Sequence, residues 1–597
     1  MDMQLTVEQL AVLETDGNLV INAVAGSGKT STLIEYAKSR PSDSRILYLA
    51  FNRTVKSEAT QRFARASLSN VRVETAHSLA FDYVVRGSGY RMSQGYKSYD
   101  WCEILGIKTG DRQTDFVLAN HVNKFISFFC NSKAKRVQDL DYSSIVTDQK
   151  AAAFVKNLAP QIEKFTRLAL AKMEKGEIEV THDFYLKKFH LNEVILPFDY
   201  ILFDEGQDAS AAMLDVFLKQ PAKKIIVGDM HQQIYGWRFA INSLQQVEFP
   251  VYNLSNSFRF DEEIALVANR ILSWKNHLKL PPSVKIVGVG KPSTENTTKA
   301  VLGRTNLALL INAISKWQGG QVSRLYFEGN INSYTFADEG ASLYDVLNLY
   351  NGKTDRIRDK MIAEMKSMKE LEEYIQKTED TSLSMIVEVV KEFGNKLPSL
   401  INELKSNHTA SKEEADMIFS TVHRCKGMEY DEVTLLNDFV TEEKVKRSFD
   451  QNGGEKISEV DRNKLAEEIN ILYVAATRAR NKLNIPVEIN PLKSIALAQP
   501  SQSISFISKN DYRPTYADSW KSYKDFHSTY ERPSYKSKAT SAGKKWSVDE
   551  ENQAMDLFQQ RISLRQIADQ LGRTQYAVKR KLINLGMDED EFDDHID

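Results

Sequence analysis

The amino-acid sequence predicts an α/β fold with two separate parallel sheets, helical insertions in both halves, and a small all-α domain of three helices at the C-terminus. A glycine-rich loop lies between an apolar strand and a helix, and a second apolar strand follows about 20 residues later, which is typical of a βαβ unit. Further short β-rich runs fall into two groups divided by long helical stretches, which favours two sheets over one.

Length and composition narrow the class of protein. A chain of 597 residues allows about four domains at roughly 150 residues each. With 42% hydrophobic and 26% charged residues, it is neither collagen-like, nor mostly disordered, nor membrane-embedded. The start, MDMQLTVEQL, lacks the pattern of a signal peptide, and the three cysteines are too scattered for a disulfide framework or a CxxC metal site. We therefore expect a cytoplasmic protein without a membrane partner, and its net charge of -2 leaves any nucleic-acid binding to local grooves.

The predicted elements set the domain boundaries. Strands are predicted at Asn18–Ala23, Ile46–Phe51, Val71–Thr75, Tyr200–Phe203, Lys224–Val227, Val301–Gly303, Met417–Ser420 and Val433–Leu436. They predict a first α/β domain at 1–80 and 195–250 with a helical insertion at 81–194, and a second at 251–340 and 410–490 with an insertion at 341–409. Residues 499–545 are rich in Ser, Tyr and Lys with scattered Pro, and 491–543 is predicted to be a flexible linker. A helix-turn-helix-like domain is expected at 544–587 and a solvated acidic tail at 588–597.

The glycine-rich loop, AVAGSGKT, predicts a phosphate-binding site, although Ala23 replaces the usual first glycine. Gly26 and Gly28 let backbone N–H groups turn toward a phosphate at a helix N-terminus. Lys29 can reach the β- and γ-phosphates, and the Thr30 hydroxyl can bind Mg²⁺. The neighbouring residues Ala25, Ser27 and Ser31 complete the predicted loop. A glycine turn that binds nothing is disfavoured because a strand and a helix flank the loop.

A second motif, ILFDEGQD, places two adjacent acids at the end of an apolar strand. In a hydrolytic motor Asp204 would hold Mg²⁺, and Glu205 would orient and deprotonate the attacking water. Two acids after a strand usually mark a solvated strand end. The glycine-rich loop upstream favours the catalytic interpretation here.

These motifs belong to a longer ordered series that resembles a known family. The series reads LTVEQ, LAFNRTVKSEA, TAHSLA, DEGQD, VGDMHQQIYGWRFA, LSNSFRF, GRTN, TVHRCKGMEYDEV and LYVAATRAR. It is similar to superfamily 1 DNA helicases of the UvrD/Rep type, most of all to the F-box DNA helicase branch. The resemblance implies two RecA-like P-loop motor domains that use ATP and Mg²⁺.

The resemblance also implies roles around the nucleotide. Gln9 would read the adenine edge, Phe258 would stack near the adenine, and Glu429 would approach the ribose. Gln232 would couple the γ-phosphate to the DNA track. Arg259 and Arg478 would act as arginine fingers from the second motor domain, rather than as surface charges. The chain departs from many relatives at Ser31, where they place Arg, and at Met230 and His231, where UvrD-like chains often carry acids.

The segment IYGWR predicts a surface for single-stranded DNA. Tyr235, Trp237 and Arg238 combine aromatic faces with a guanidinium, which suits sequence-tolerant base stacking. The alternative for Trp237 is a core aromatic, which the neighbouring glycine and arginine disfavour. By similarity, the surface also includes Phe51, Asn52, His77, Thr421 and His423. A 3′ to 5′ direction is implied by the resemblance alone.

The C-terminal region resembles Myb/SANT-like helix-turn-helix domains. Its third helix would present a basic face to duplex DNA, with Arg573, Lys579 and Arg580 as the phosphate contacts. A three-helix module that docks a protein is the alternative.

The leading hypothesis is an ATP-dependent DNA helicase, a monomeric motor on single-stranded and forked DNA in replication, recombination or repair. The alternative is a single-strand translocase that displaces bound proteins or serves as a motor subunit of a recombination or defence complex. A DNA-binding protein with a decayed ATPase is disfavoured because every hydrolytic group is present.

Overall fold

The computed structural model describes residues 5–293, 297–334, 343–451, 454, 457–493, 502–507, 546–559, 562, 564–573 and 575–584. The chain divides into two compact units, Met1–Trp520 and Lys521–Asp597. No helix in these ranges is both long enough and apolar enough to cross a membrane.

The first sheet is parallel throughout. Its strands are β1 (Leu19–Ala23), β2 (Ile46–Ala50), β3 (Val71–Thr75), β4 (Tyr200–Phe203), β5 (Lys223–Gly228) and β6 (Val251–Leu254). They lie in the order β3-β2-β4-β5-β1-β6. Strands β1, β2 and β4 are buried along their whole length, as in a parallel sheet that helices cover on both faces. The loops that follow β1, β4 and β5 therefore meet at one edge of the sheet.

The second sheet is also parallel. After a short pair, β7 (Asn256–Ser257) and β8 (Val287–Gly288), it comprises β9 (Lys299–Gly303), β10 (Leu325–Phe327), β11 (Met417–Thr421), β12 (Tyr430–Leu435), β13 (Ala479–Pro486) and β14 (Ile504–Ile507). The strand order is β10-β11-β9-β12-β13-β14. Two parallel sheets confirm the predicted α/β fold class.

The helices of the first half are α1 (Val7–Glu14), α2 (Lys29–Lys38), α3 (Arg53–Arg65), α4 (Ala76–Val84), α5 (Ser98–Leu105), α6 (Arg112–Asn131), α7 (Gln149–Glu174), α8 (His182–Leu191) and α9 (Ala211–Leu218). Those of the second half are α10 (Glu262–Ser273), α11 (Asn306–Gln318), α12 (Ile331–Tyr334), α13 (Leu343–Tyr350), α14 (Lys360–Ala363), α15 (Met368–Thr378), α16 (Thr381–Phe393), α17 (Leu397–Ser406), α18 (Glu442–Gln451) and α19 (Glu459–Ala476). Helix α15 packs against α6 and α7, so the helical stretches of the two halves share one apolar core.

One strand lies where the sequence predicted a flexible linker. Strand β14 pairs in parallel with β13, with Leu483 opposite Ile504, and Ile504 is buried in the core of the second half. The short run ISFI gains this place because β13 offers an open edge, a long-range condition that composition does not reveal. Residues 508–543 of the predicted linker and the acidic tail at 588–597 lie outside the described residues.

The C-terminal unit contains three described helices, α20 (Val548–Gln559), α21 (Leu564–Leu571) and α22 (Gln575–Asn584). They enclose a small apolar core that contains Phe558, Ile567, Leu571, Val578 and Leu582, with Trp546 packed against it.

Candidate nucleotide site and nucleic-acid track

The glycine-rich loop joins β1 to α2. Gly26 and Gly28 both have positive φ, +76° and +79°, and Gly28 is the N-cap of α2. A Cβ on Gly26 would lie 2.6 Å from the Arg259 Cβ and 2.7 Å from the Ser257 hydroxyl oxygen. The Phe258 amide donates to the Gly26 carbonyl at 2.9 Å. Only glycine fits this position, because the loop touches the segment 257–259.

Lys29 and Glu205 form an ion pair at the edge where β1 and β4 end. The Lys29 Nζ lies 3.0 Å from the Glu205 Oε1. Burial opposes the charge of Lys29, yet Glu205, Asp204 and Asp229 together raise its pKa above the ordinary lysine value. Burial also opposes ionisation of Glu205, but Lys29 and Lys426 outweigh it and lower the pKa of this carboxyl. Glu205 is therefore ionised and is available as a base at neutral pH.

Asp204 has the opposite electrostatic character. It is 4% exposed, and burial and the neighbouring Glu205 raise the pKa of its carboxyl. It accepts hydrogen bonds from the Tyr48 hydroxyl and, at 2.9 Å, from the Glu205 amide. The Thr30 side chain also neighbours Tyr48 and lowers the pKa of its hydroxyl, against the larger effect of burial, which raises it. The two predicted metal ligands, Asp204 and Thr30, thus share one neighbour.

Asp229, at the end of β5, connects several parts of the site. Its carboxyl accepts from the Gln232 Nε2 at 3.0 Å, from the Tyr473 hydroxyl at 2.8 Å and from the His231 amide at 2.9 Å. Its own amide donates to the Gln207 side chain at 3.2 Å, and Gln207 donates to Glu205. Because Tyr473 belongs to α19, this buried carboxyl links the acidic motif to the second half of the chain.

The two predicted arginine fingers lie on that second half. Arg478 is 1% exposed and donates to the carbonyls of Val474 at 3.0 Å and Met428 at 3.1 Å. Burial and the neighbouring Arg259 lower the pKa of Arg478 to about 10. Arg259 bonds to Glu429 at 2.8 Å and to the Thr477 carbonyl at 2.9 Å. Glu429, expected near a ribose, thus pairs with a finger in this structure.

The far end of the loop carries the residues expected near the adenine. Gln9 is buried and donates to the Thr32 hydroxyl at 3.0 Å, while its carbonyl oxygen accepts from the Thr6 amide. The Gln9 Nε2 would lie 3.4 Å from a Cβ on Gly28, so it borders the loop. Phe258 is 51% exposed, which leaves its ring face accessible for stacking.

Two residues of the predicted surface for single-stranded DNA, which we call the DNA track, stack on each other. The Phe51 and Tyr235 rings are 5.6 Å apart at 21°, and the Tyr235 hydroxyl donates to the His423 carbonyl at 2.9 Å. The Lys426 Nζ stands 5.0 Å from the Tyr235 ring centroid and forms an ion pair with Asp208. The aromatic track and the acidic motif are therefore joined through one buried lysine.

The remaining track residues differ in exposure. Trp237 is 63% exposed, and the Arg238 guanidinium lies 4.6 Å over its ring, which excludes a core position for Trp237. Asn52 caps α3 by accepting from the Val55 amide at 2.9 Å. His77 lies at the surface, and Thr421 is buried at the end of β11.

In the C-terminal unit, Arg573 does not lie on the predicted basic face. Its side chain is 3% exposed, pairs with Glu550 at 3.1 Å and lies 4.8 Å from the Trp546 ring centroid. Its assignment to the DNA contacts is corrected, because the guanidinium is enclosed between an indole ring and a carboxylate. Lys579 is half-buried, and the side chain of Arg580 lies outside the described residues.

Sequence reasoning missed several residues of the site. Asp208 and Lys426 lie inside two motifs of the series, DEGQD and TVHRCKGMEYDEV. Their opposite charges were the available signal, but the two motifs are more than 200 residues apart and the sequence does not show that they touch. Asp229 and Tyr473 also lie inside the motifs of the series, but no role was assigned to them, and Tyr48 gave no signal beyond its strand. Lys275, which contacts His231, lies outside every motif.

The comparisons with known proteins agree with this architecture. Residues 5–248 match the UvrD/REP helicase N-terminal domain, and residues 330–488 match the UvrD-like helicase C-terminal domain. F-box DNA helicase 1 of Gallus gallus is 29% identical over 534 residues, which cover 83% of this chain and 50% of that protein. F-box DNA helicase protein 1 of Schizosaccharomyces pombe is 28% identical over 544 residues, covering 82% and 58%.

A more distant similarity links the chain to bacterial proteins. ATP-dependent DNA helicase PcrA of Bacillus subtilis is 25% identical over 303 residues, which cover 46% of this chain and 40% of that protein. The chain spans half to three fifths of the length of the two F-box relatives. Because the two UvrD-type helicase domains are matched over residues 5–248 and 330–488, which together are more than half of the chain, it belongs to the UvrD/Rep helicase family.

Proposed function

We propose that the protein is an ATP-dependent DNA helicase that moves on single-stranded DNA from 3′ to 5′. One observation carries the proposal. The loop that bears Lys29, the partner of Glu205, touches the segment that bears Arg259, and the buried Arg478 lies next to Arg259. A base, a phosphate-binding lysine and two guanidinium groups between two sheets are the groups that phosphoryl transfer to water needs.

The loop fits a nucleotide bound with Mg²⁺. Among the described residues, the buried Ser27 hydroxyl has no hydrogen-bond partner, and Arg478 has no carboxylate within ion-pair distance. A phosphate group is the anion that satisfies both kinds of donor at a helix N-terminus. Thr30 and Asp204 would hold Mg²⁺, which neutralises phosphate charge when it is bound.

The roles of the protein groups follow from their environments. Glu205, held ionised by Lys29 and Lys426, orients the attacking water and accepts its proton. Arg259 and Arg478 stabilise the charge that develops on the transferred group, a contribution of about 10³–10⁵ in rate for such fingers. Because they come from the second half, ATP favours the closed arrangement and its products release it.

The proposed DNA track is connected to the nucleotide site through Lys426. The stacked rings of Phe51 and Tyr235 and the exposed Trp237 offer aromatic faces to successive bases, which is a sequence-tolerant mode of binding. Lys426 contacts Tyr235 on one side and Asp208 on the other, so a shift of the track alters the acidic motif. That shared lysine is the route by which DNA would stimulate hydrolysis.

The test combines three assays on the full-length protein. ATP hydrolysis is measured with and without oligo-dT, strand separation with 3′-tailed and 5′-tailed duplexes, and displacement of a protein bound to single-stranded DNA. Separation of the 3′-tailed duplex with DNA-stimulated hydrolysis is the expected result, and Glu205→Gln serves as the inactive control. Stimulated hydrolysis with protein displacement alone would favour the translocase alternative. An ATP hydrolysis rate that is the same with and without oligo-dT would overturn the proposal.

A further inference from the structure

A buried lysine outside all the motifs contacts His231 in the turn Asp229–Gln232, which carries the predicted γ-phosphate residue Gln232. Lys275 lies in the 3₁₀ turn Trp274–Leu278 that follows α10, and it is 7% exposed. Its Nζ donates to the His231 Nδ1 at 2.8 Å. Within the part of the chain that the structure describes, Lys275 forms no ion pair, and Asp229 acts on its charge without contacting it. A lysine ammonium is therefore buried against a neutral imidazole.

This arrangement opposes folding. Removing an ammonium from water without an anionic partner is unfavourable, and a methionine of similar length would pack there without that cost. Burial lowers the pKa of Lys275 to about 7, while Asp229 acts in the opposite direction. Residues that break a folding rule in this way are concentrated at functional positions.

The partner of Lys275 belongs to the network around Asp229. The His231 amide donates to the Asp229 carboxyl, which also holds the Gln232 side chain. Asp229 in turn contacts Gln207, and Gln207 contacts Glu205. His231 is thus adjacent in sequence to Gln232, the predicted γ-phosphate residue. It is linked to the base Glu205 through two intervening residues, Asp229 and Gln207.

The contact also joins the two halves of the chain. His231 follows β5 of the first sheet, whereas Lys275 follows α10, which packs against α19 in the second half. The sequence carries His231 at a position where UvrD-like chains often have an acid. An acid would bind the ammonium as a buried ion pair, whereas a neutral imidazole forms a weaker contact that opens readily when the halves separate.

We propose that Lys275 is a positioning residue for ATP hydrolysis, an inference that rests on the proposed function. When the two motor domains come together, its ammonium binds His231 and fixes the Asp229–Gln232 turn against Glu205. When the domains separate, the contact is lost and the turn is released. Hydrolysis is thereby limited to the closed arrangement.

The test substitution is Lys275→Met in the full-length protein, measured with saturating oligo-dT. We expect kcat to fall about 10-fold or more, the effect of losing one charge-assisted hydrogen bond in the active arrangement. The KM for ATP should stay within about twofold, because Lys275 contacts the turn and not the glycine-rich loop. The melting temperature should stay the same or rise. A lower melting temperature with unchanged kcat would identify a purely structural lysine and overturn the inference.

The partner residue supplies the control for geometry. His231→Asn keeps an acceptor for Lys275 and should retain most of kcat, whereas His231→Leu should repeat the loss seen in Lys275→Met. The double variant His231→Leu with Lys275→Met should lose no more than either single one, because both remove the same contact. Additive losses would overturn the inference. Lys285→Met, an exposed lysine ten residues further along, is the matched control for the substitution itself.

A parallel Lys29→Ala variant separates the two levels of the argument. If the parent protein lacks ATPase activity, or if Lys29→Ala retains it, the proposed function fails. If the parent shows DNA-stimulated hydrolysis that depends on Lys29, while Lys275→Met keeps full kcat, only the role of Lys275 fails.

Discussion

Lys426→Met should destabilise the protein in a pH-dependent way. Lys426 forms an ion pair with Asp208, whose side chain is fully buried, and it donates to the Gln232 carbonyl at 2.7 Å. Burial raises the pKa of Asp208 to about 6, although Lys426 itself lowers it. Without Lys426 the pKa of this carboxyl rises further, and Asp208 takes up a proton at neutral pH.

The size of the effect follows from that pKa. Protonating Asp208 at pH 7 costs about 1.4 kcal/mol, which is one pKa unit, and this bounds the electrostatic loss. The lost hydrogen bond to the Gln232 carbonyl adds about 1 kcal/mol. We therefore expect the variant to be less stable than the parent by about 2–3 kcal/mol at pH 7. That is less than the ~3–5 kcal/mol of a buried pair whose remaining partner stays charged.

The sign of the pH dependence distinguishes this account from a packing effect. Above pH 6 the folded variant holds a proton on Asp208 that the unfolded chain, with an ordinary carboxyl pKa of 3.8, has released. The folded parent has also released it. The deficit of the variant should therefore grow by about 1.4 kcal/mol per pH unit above pH 6, up to the raised pKa of Asp208.

Urea unfolding of both proteins at pH 6, 7 and 8 measures this deficit, because the titrating groups that Lys426 does not influence cancel between them. In the double variant Asp208→Asn with Lys426→Met the extra pH slope should vanish. A deficit that stays constant from pH 6 to pH 8 would refute the reasoning. In the same single variant, DNA-stimulated ATPase should fall more than basal ATPase, because Lys426 stands over the Tyr235 ring.

Three further outcomes are expected. Glu205→Gln should bind ATP yet keep less than about a tenth of kcat, because an amide cannot accept the proton of the attacking water. That loss corresponds to at least ~1.4 kcal/mol of added barrier. A single-turnover assay in which the variant keeps more than a tenth of the parent rate would exclude Glu205 as the base. Trp237→Ala should change the unfolding free energy by less than about 0.5 kcal/mol, because the residue is 63% exposed. The same variant should lower the DNA-stimulated ATPase rate more than the basal rate. Equal losses of the two rates would show that Trp237 does not contact DNA. Ending the chain after residue 510 should leave a DNA-stimulated ATPase, whereas ending it after Ser501 removes β14 and should lower the melting temperature. The shorter proteins should also bind duplex DNA with a log–log salt slope lower by about one for each phosphate contact of Lys579 or Arg580; an unchanged slope would favour protein docking by the C-terminal unit.

The sequence predicted those features that depend on short stretches of chain. The loop around Lys29 and the acids after β4 follow from local strand, turn and helix signals, and parallel strands bring their ends together whatever the details of packing. The order of motifs added Arg259 and Arg478 through family resemblance. The stacking of Phe51 on Tyr235 was expected as membership of one track, without its geometry.

Features that depend on distant partners were not predictable in this way. Strand β14 has no strong strand signal, and it forms because β13 leaves an edge to pair with. Arg573 looks like a phosphate contact in sequence, but Trp546 and Glu550 enclose it. Composition shows that the segment from Arg573 to Lys581 is basic, and only the packing decides which of its basic side chains reach solvent.

Three buried cations of the second half connect these observations. Arg478 and Lys275 have backbone or imidazole partners instead of carboxylates among the described residues, and Lys426 has a carboxyl whose pKa is about 6. Each is stabilised less than a fully paired buried cation, and each faces the edge of the first sheet. The proposed nucleotide would bring several negative charges to that edge, which lowers the electrostatic cost of holding the cations there. Domain closure and phosphate binding are then thermodynamically one event, since each supplies the charge that the other lacks.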